Sequence, residues 1–135
     1  MTKVILGLGA NMGNREAYLE AANQRLQPIA RSNIYETDAI LPENAPPEWN
    51  IPYLNMAVLI ETDKKPHALL KYIKQIESDL GRDNNNPVWS PREIDIDILI
   101  YEGVEINTPT LTIPHKELKN RPFFIKCVEE IRQQP

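Results

Sequence analysis

Residues 94–101 read Ile-Asp-Ile-Asp-Ile-Leu-Ile-Tyr, two carboxylates set inside what is otherwise an interior strand. Successive strand residues point to opposite faces, so Asp95 and Asp97 share one face with Leu99 and Tyr101, and Ile94, Ile96, Ile98 and Ile100 form the other. One face belongs to a core and the other carries charge. A chain holding this strand must therefore build a sheet covered on its aliphatic side and approached by polar groups on its acidic side.

Two residues of strand rise put the carboxylates roughly 6.5 to 7 Å apart. Their repulsion is roughly 0.6 kcal/mol in water and about 2.5 kcal/mol at an effective dielectric of 20. The pair is harmless on a solvated face and costly when half buried, where a cation belongs between them. Mg²⁺ suits that place, since it takes one or two carboxylates and completes its shell with water and phosphate oxygens. Arg82 and Arg92 bracket a segment with three asparagines, two prolines and Trp89 but no aliphatic periodicity. A loop with cationic ends opening into a strand with two carboxylates has the make-up of a site for phosphates and their metal ions.

The 135 residues suffice for one domain with one core, and 41% hydrophobic with 25% charged residues is ordinary for a soluble protein. No apolar run approaches the ~18 residues of a membrane span, and no signal region opens the chain, so a cytoplasmic protein is expected. Cys127 is the single cysteine, which excludes an internal disulfide and fits a reducing compartment. A net charge of −4 argues against a nucleic-acid partner. Twelve prolines are the oddity; Pro42, Pro46, Pro47 and Pro52 fall within residues 38–52, and Pro87 and Pro91 within the arginine-flanked segment. Long loops in a compact domain are commonly functional, so both become candidate substrate loops.

Along the chain, residues 3–9 read as a strand, followed by a glycine-rich turn and a helix capped by Asn14 with Tyr18, Ala22, Leu26 and Ile29 on one side. Residues 32–37 read as a second strand. Residues 53–62 read as a third, with Leu54, Met56, Val58 and Ile60 on one face and Tyr53 and Asn55 on the other. Pro66 opens a helix spaced by Leu69, Ile73, Ile76 and Leu80, and Gly81 stops it. After the strand with the two aspartates, Glu102 and Gly103 suggest a tight turn into a hairpin strand over 104–107. The tail from His115 is expected to be part helical, interrupted at Pro122. This order predicts an α+β protein of ferredoxin-like arrangement: an antiparallel sheet with helices on one face and long substrate loops on the other.

Among the remaining candidates, the glycines between Gly7 and Gly13 miss the dinucleotide-binding spacing by one and lack its acidic partner, which leaves a turn. His67 reads as a surface residue. His115 and Arg121 can add cationic contacts to phosphates if the tail folds over the open side of the sheet. Trp89, in a polar loop, suits stacking on a flat ring. Tyr53, Asn55 and Phe123 together can make a pocket with an amide to read ring nitrogens.

These residues resemble the 6-hydroxymethyl-7,8-dihydropterin pyrophosphokinase family of folate biosynthesis. The likeness runs through Leu8-Gly9-Ala10-Asn11, Tyr53-Leu54-Asn55, residues 89–99, and Pro114-His115 to Asn120-Arg121 with Phe123. Its most specific element is Pro91-Arg92, two residues, then Asp95-Ile96-Asp97-Ile98-Leu99. The resemblance implies transfer of pyrophosphate from ATP to the pterin hydroxymethyl group, with AMP released. It also implies two Mg²⁺ ions on Asp95 and Asp97, and charge neutralisation by Arg82 and Arg92. By the same matching, Glu77, Arg82, Trp89, Arg92, Ile98, Thr112, His115 and Arg121 fall at the nucleotide, and Tyr53, Asn55, Trp89, Asp95 and Phe123 at the pterin.

Some positions depart from the family pattern. Val88 and Ser90 stand where it has a charged and a very small residue, and Asn84, Thr110 and Lys116 replace other phosphate or nucleotide contacts. The chain ends 14 residues beyond Arg121, short for the family, which fits either a naturally short monomer or a module of a fusion with dihydropteroate synthase. Two rival readings are a Mg²⁺-dependent nucleotide hydrolase on the same aspartates and a non-catalytic ferredoxin-like small-molecule-binding domain.

Overall fold

The computed structural model describes residues 1–38, 41, 43–81 and 94–134. In chain order these form β1 (Thr2–Ala10), α1 (Arg15–Leu26), β2 (Ala30–Arg31), β3 (Tyr35–Thr37), a 3₁₀ turn (Pro47–Trp49), β4 (Tyr53–Thr62), α2 (Pro66–Asp79), β5 (Asp95–Tyr101), β6 (Ile106–Asn107), β7 (Thr112–Ile113) and α3 (Pro122–Arg132). The main sheet is antiparallel, ordered β2-β4-β1-β5, with β3 also on β4, and β6 and β7 make a separate pair. No helix among the described residues is long and apolar enough to cross a membrane.

The alternation in β1, β4 and β5 drives the layering. Leu6 and Leu8 of β1, Met56 and Val58 of β4, and Ile96 and Ile98 of β5 all project to the face covered by α1 and α2. There they meet Leu19, Ala22 and Leu26 of α1 and Leu69, Ile73 and Ile76 of α2. The Asn14 carboxamide oxygen accepts the Ala17 N–H at 3.1 Å and starts α1, as its position foretells. That helix ends at Gln27, in the left-handed conformation at φ 51°, so Ile29 falls beyond it and is 56% exposed rather than part of its apolar side.

The opposite face carries a second, smaller core, in which Ile5, Ala57 and Leu99 pack against Phe124, Cys127, Val128 and Ile131 of α3. Pro122 does not interrupt this helix but opens it, at the first helical position where its missing N–H costs nothing. α3 is latched to β3 by Glu130, whose carboxylate accepts the Asn33 N–H at 2.9 Å and the Tyr35 hydroxyl.

Three local departures from simple alternation have identifiable causes. Between Ile5 and Leu6 the β1–β5 register shifts, Ile5 pairing Ile100 and Leu6 pairing Ile98, so Leu99 is an extra residue on β5. The bulge reverses parity: Leu99 stays on the α3 face, while Tyr101 turns to the α1–α2 core instead of sharing a face with the aspartates. The expected strand over 32–37 splits because Ser32 substitutes its hydroxyl for a ladder carbonyl, accepting the Ala57 N–H at 2.9 Å. The turn at Glu102-Gly103 forms, with Gly103 at φ 75°, but β6 pairs with β7 and not with β5. The outer edge of β5 is already occupied: the Glu77 carboxylate accepts the Ile96 N–H at 2.8 Å and the His115 N–H donates to the Leu99 carbonyl at 2.9 Å.

Candidate active site

The register of the three central strands builds a floor. Asp95 pairs with Gly9 and Asp97 with Gly7, while on the other side of β1 Gly9 pairs with Asn55 and Gly7 with Ala57. The row Asn55, Gly9, Asp95 therefore has bare main chain at its centre. With strands roughly 4.8 Å apart, Asn55 and Asp95 stand on backbones about 9.6 Å apart with no side chain between them. A Cβ at Gly9 would lie 3.1 Å from Asn55 Oδ1 and 3.4 Å from the Tyr53 ring; one at Gly7 would lie 3.3 Å from Leu99 and Phe124. Gly7 and Gly9 sit inside β1, within the strand expected over 3–9, and of the three glycines in this stretch only Gly13, at φ 67°, turns the chain.

A cavity of about 360 Å³ lies over this floor, walled by Thr37, Tyr53 and Asn55 on one side and by Arg121, Phe123 and Phe124 at the start of α3 on the other. The Asn55 amide nitrogen donates to Thr37 Oγ1 at 2.6 Å, which fixes the carboxamide. The Phe123 and Phe124 rings lie 4.5 Å apart at 60°, and the Arg121 guanidinium sits 5.6 Å over Phe124. The result is a slot with aromatic rings on its walls, an amide at one end of its floor and a carboxylate at the other.

A second cavity, of about 340 Å³, follows the outer edge of β5 and is lined by Lys74 and Glu77 of α2, Ile96 and Ile98 of β5, and Thr110 and Thr112. Glu77 is 2% exposed and already holds the Ile96 N–H. Alternate residues of a strand aim their peptide groups at the same edge, so the N–H and C=O of Ile98 face this cavity as well. Among the described residues the two cavities share four lining side chains: Asp95, Asp97, His115 and Lys116.

His115 is oriented by its own backbone neighbourhood. Its Nδ1 accepts the Glu117 N–H at 3.1 Å, which leaves the proton of the neutral ring on Nε2, and Nε2 lies 4.0 Å from Asp97 Oδ1. Burial, and then the positive charge of Arg121, push the imidazole below its ordinary value of 6.5, which favours the neutral ring. A neutral ring with a fixed N–H is a hydrogen-bond donor for an anionic ligand.

The structure brings together most of the residues singled out from the sequence. Tyr53, Asn55, Asp95 and Phe123 line the cavity over the glycine floor. Glu77, Ile98, Thr112 and His115 line the one along the β5 edge. Arg121 stands on the wall of the first of these, not of the second, where its matching to a nucleotide had placed it. Arg82, Trp89 and Arg92 fall within 82–93, outside the described residues. Gly7, Gly9, Thr37 and Phe124 were not expected in the site, and Lys116, at a position where the family has a phosphate or nucleotide contact, lines both cavities. The signal for the glycines was their spacing of two, which in a strand puts both on one face.

The donor set fits a hard divalent ion. Among the described residues no group of three or more acidic, histidine or cysteine side chains forms a metal cage. Two half-buried carboxylates on one strand face, open to both cavities, match the ligand count of an ion that completes its shell with phosphate oxygens and water.

The chain is similar to several known proteins. The family model for 7,8-dihydro-6-hydroxymethylpterin-pyrophosphokinase matches residues 5–133. The chain is 40% identical over 135 residues to a folate synthesis bifunctional protein of Chlamydia muridarum, covering 95% of this chain and 30% of that protein. It thus spans about a third of the length of that relative. It is also 38% identical over 135 residues to the 2-amino-4-hydroxy-6-hydroxymethyldihydropteridine pyrophosphokinase of Bacillus subtilis, covering 96% of this chain and 77% of that one. For the enzyme of the same name from Methylorubrum extorquens the values are 37% identity, 97% and 83%. A solved HPPK-DHPS in complex with substrates superposes with a TM-score of 0.65 at 16% identity, covering 96% of this chain and 40% of that one, which supports the α+β fold. HPPK-DHPS of Plasmodium falciparum gives 0.63 at 17% identity, covering 97% and 40%. From the match over residues 5–133 and the two relatives covered over most of their length, the chain belongs to the 7,8-dihydro-6-hydroxymethylpterin-pyrophosphokinase family.

Proposed function

We propose that this chain transfers the pyrophosphoryl group of ATP to the hydroxymethyl oxygen of 6-hydroxymethyl-7,8-dihydropterin. The observation that carries this reading is the meeting of a flat slot and an edge cavity at Asp95 and Asp97. A two-substrate transfer needs its donor and acceptor in separate pockets that share the reacting centre.

In the slot, Tyr53 and Phe123 cover the pterin ring while Asn55 reads its edge and Asp95 stands beside the hydroxymethyl group. Along β5, Glu77, Thr112 and the peptide groups of Ile98 hold the nucleotide, with its phosphates toward Asp97. The neutral His115 donates from Nε2 to a phosphate oxygen. The pterin oxygen bonds to the β-phosphorus as the bond to the oxygen bridging the α- and β-phosphates breaks; AMP leaves and the hydroxyl proton passes to solvent. Asp95 and Asp97 would hold two Mg²⁺ ions, which supply charge neutralisation and alignment of the triphosphate. Arg82 and Arg92 add positive charge, and Trp89 a stacking surface, by the residue matching given above. Positioning and electrostatic stabilisation carry most phosphoryl transfer, so no dedicated base is required.

We place the chain in the cytoplasm as a monomeric unit with no nucleic-acid or membrane partner. The bifunctional relatives and the HPPK-DHPS structures support reading it as a unit that also occurs joined to dihydropteroate synthase. The test is incubation with ATP, Mg²⁺ and hydroxymethyldihydropterin, with chromatography of the nucleotide formed. AMP produced only when the pterin is present is the expected result. ADP, or turnover without the pterin, identifies a nucleotide hydrolase instead, and no turnover favours a binding domain.

A further inference from the structure

One wall of the slot stands where a strand ladder ends. Thr37 and Tyr53 are the last of the three pairs joining β3 to β4, and past them the chain leaves the sheet through residues 38–52. The terminal pair of a ladder opens most readily. Yet both of these residues line the slot, and Thr37 Oγ1 holds the Asn55 carboxamide at 2.6 Å. A fastening lies at this point, on the other side of the sheet. Nη1 of Arg15, the first residue of α1, lies 3.0 Å from a Glu36 carboxylate oxygen and donates to the Pro52 carbonyl at 2.8 Å. Glu36 directly precedes Thr37 and Pro52 directly precedes Tyr53, so one cation bridges both chains a single residue from the last pair. Just before α1, the Asn11 carboxamide, 2% exposed, donates to the Ile51 carbonyl at 3.0 Å, so the same connection grips the β4 side twice. Arg15 does all this from the far face of the sheet. Glu36 pairs with Leu54, which lies in the α1–α2 core, so Glu36 and Arg15 stand on that face, whereas Thr37 and Tyr53 face the slot.

We propose that Arg15 is a positioning residue for the pterin: by tying Glu36 to the Pro52 carbonyl across the end of the ladder, it keeps Thr37, and through it the Asn55 carboxamide, in place to read the ring edge. This rests on the pyrophosphokinase reading and gives part of its acceptor recognition to a residue outside the slot. Calorimetry on the whole chain with Mg²⁺ tests it, first with α,β-methylene-ATP alone and then with hydroxymethyldihydropterin while that analogue is saturating. Arg15→Met keeps the stem and removes both donors. It should weaken the pterin by at least about threefold, the scale of a partly exposed ion pair with one hydrogen bond, and leave the analogue within about twofold. Arg15→Lys, which keeps a cation within reach of Glu36, should recover most of the loss. Arg25→Met, which breaks the exposed pair between Arg25 of α1 and Asp79 of α2 at 2.9 Å, should change neither affinity. In a chain already carrying Thr37→Val, Arg15→Met should add little, because the contact it supports is gone. An unchanged pterin affinity in Arg15→Met, an equal loss for the analogue, no recovery in Arg15→Lys, the same loss in Arg25→Met, or full additivity with Thr37→Val overturns the proposal. A wild-type chain that binds no pterin removes the pyrophosphokinase reading beneath it.

Discussion

Asp97 lies where both cavities meet, yet little of the core depends on it, since its side chain is a third exposed. Asp97→Ala should therefore reduce AMP formation to near background while the thermal unfolding midpoint stays within a few degrees, the range of an ordinary surface substitution. Near-normal turnover would show that the aspartate is not a metal ligand. Gly9 makes the complementary point by having nothing to offer but space. In Gly9→Ala the new methyl would press on Asn55 Oδ1 from 3.1 Å, and Asn55 is anchored to Thr37 and cannot easily yield. The expected result is a KM for the pterin raised by about tenfold, roughly 1.4 kcal/mol, with the KM for ATP little changed. Steady-state kinetics with each substrate varied in turn would separate the two.

At the scale of elements, two carboxylates fasten helices to the sheet. Glu77 of α2 holds an edge N–H of β5 in a place with almost no solvent. Glu77→Ala should cost about 1 to 3 kcal/mol by leaving that donor unpaired, and Glu77→Gln, which keeps an acceptor, appreciably less. Denaturant titration of the two variants would show it, and equal losses would mean the N–H finds another partner. Glu130 of α3 does the same for the other face. The Tyr35 hydroxyl, and then the Asn33 N–H, hold its carboxyl below the ordinary 4.5, while the same bond to Glu130, and then burial, raise the Tyr35 hydroxyl above its ordinary 10.0. A lowered carboxyl contributes stability that is present above 4.5 and lost as pH falls through its folded value; a raised phenol contributes stability present below 10.0 and lost as pH rises through its own. Stability measured from pH 6 down to about 3 should fall more steeply in the wild type than in Glu130→Gln. Parallel curves would dissolve the latch as a pH-dependent contact.

For the molecule as a whole, ligand and fold are linked, because the site spans β1, β4, β5, α2 and the start of α3. A non-reacting ATP analogue with Mg²⁺ at about one hundred times its Kd should add about 2.7 kcal/mol to stability. In Asp97→Ala at the same concentrations most of that increment should vanish, as read by the shift in unfolding midpoint. The parts of this design that could be read from the sequence are those with strong local periodicity: the two-faced β4 and β5, the aliphatic stripe of α2 and the Asn14 cap. What could not be read depends on how distant segments pair. The bulge at Leu99 turns Tyr101 inward only because of its register against Ile5 and Leu6, and the seat of α3 depends on Glu130 finding Asn33 and Tyr35 nearly one hundred residues earlier in the chain. That Gly7 and Gly9 of the expected strand make a bare floor depends on β4 and β5 lying on either side of them.

The glycine floor also limits how this protein can change under selection by an inhibitor. A compound seated over Gly9 rests on main chain, which no substitution removes; the available change there is to add a side chain. That side chain would displace the natural ligand from the same floor, so resistance arising at this point would be paid in lost turnover. Escape without that loss has to come from wall residues outside the proposed binding set, such as Asp38 and Glu117, while the floor stays as it is.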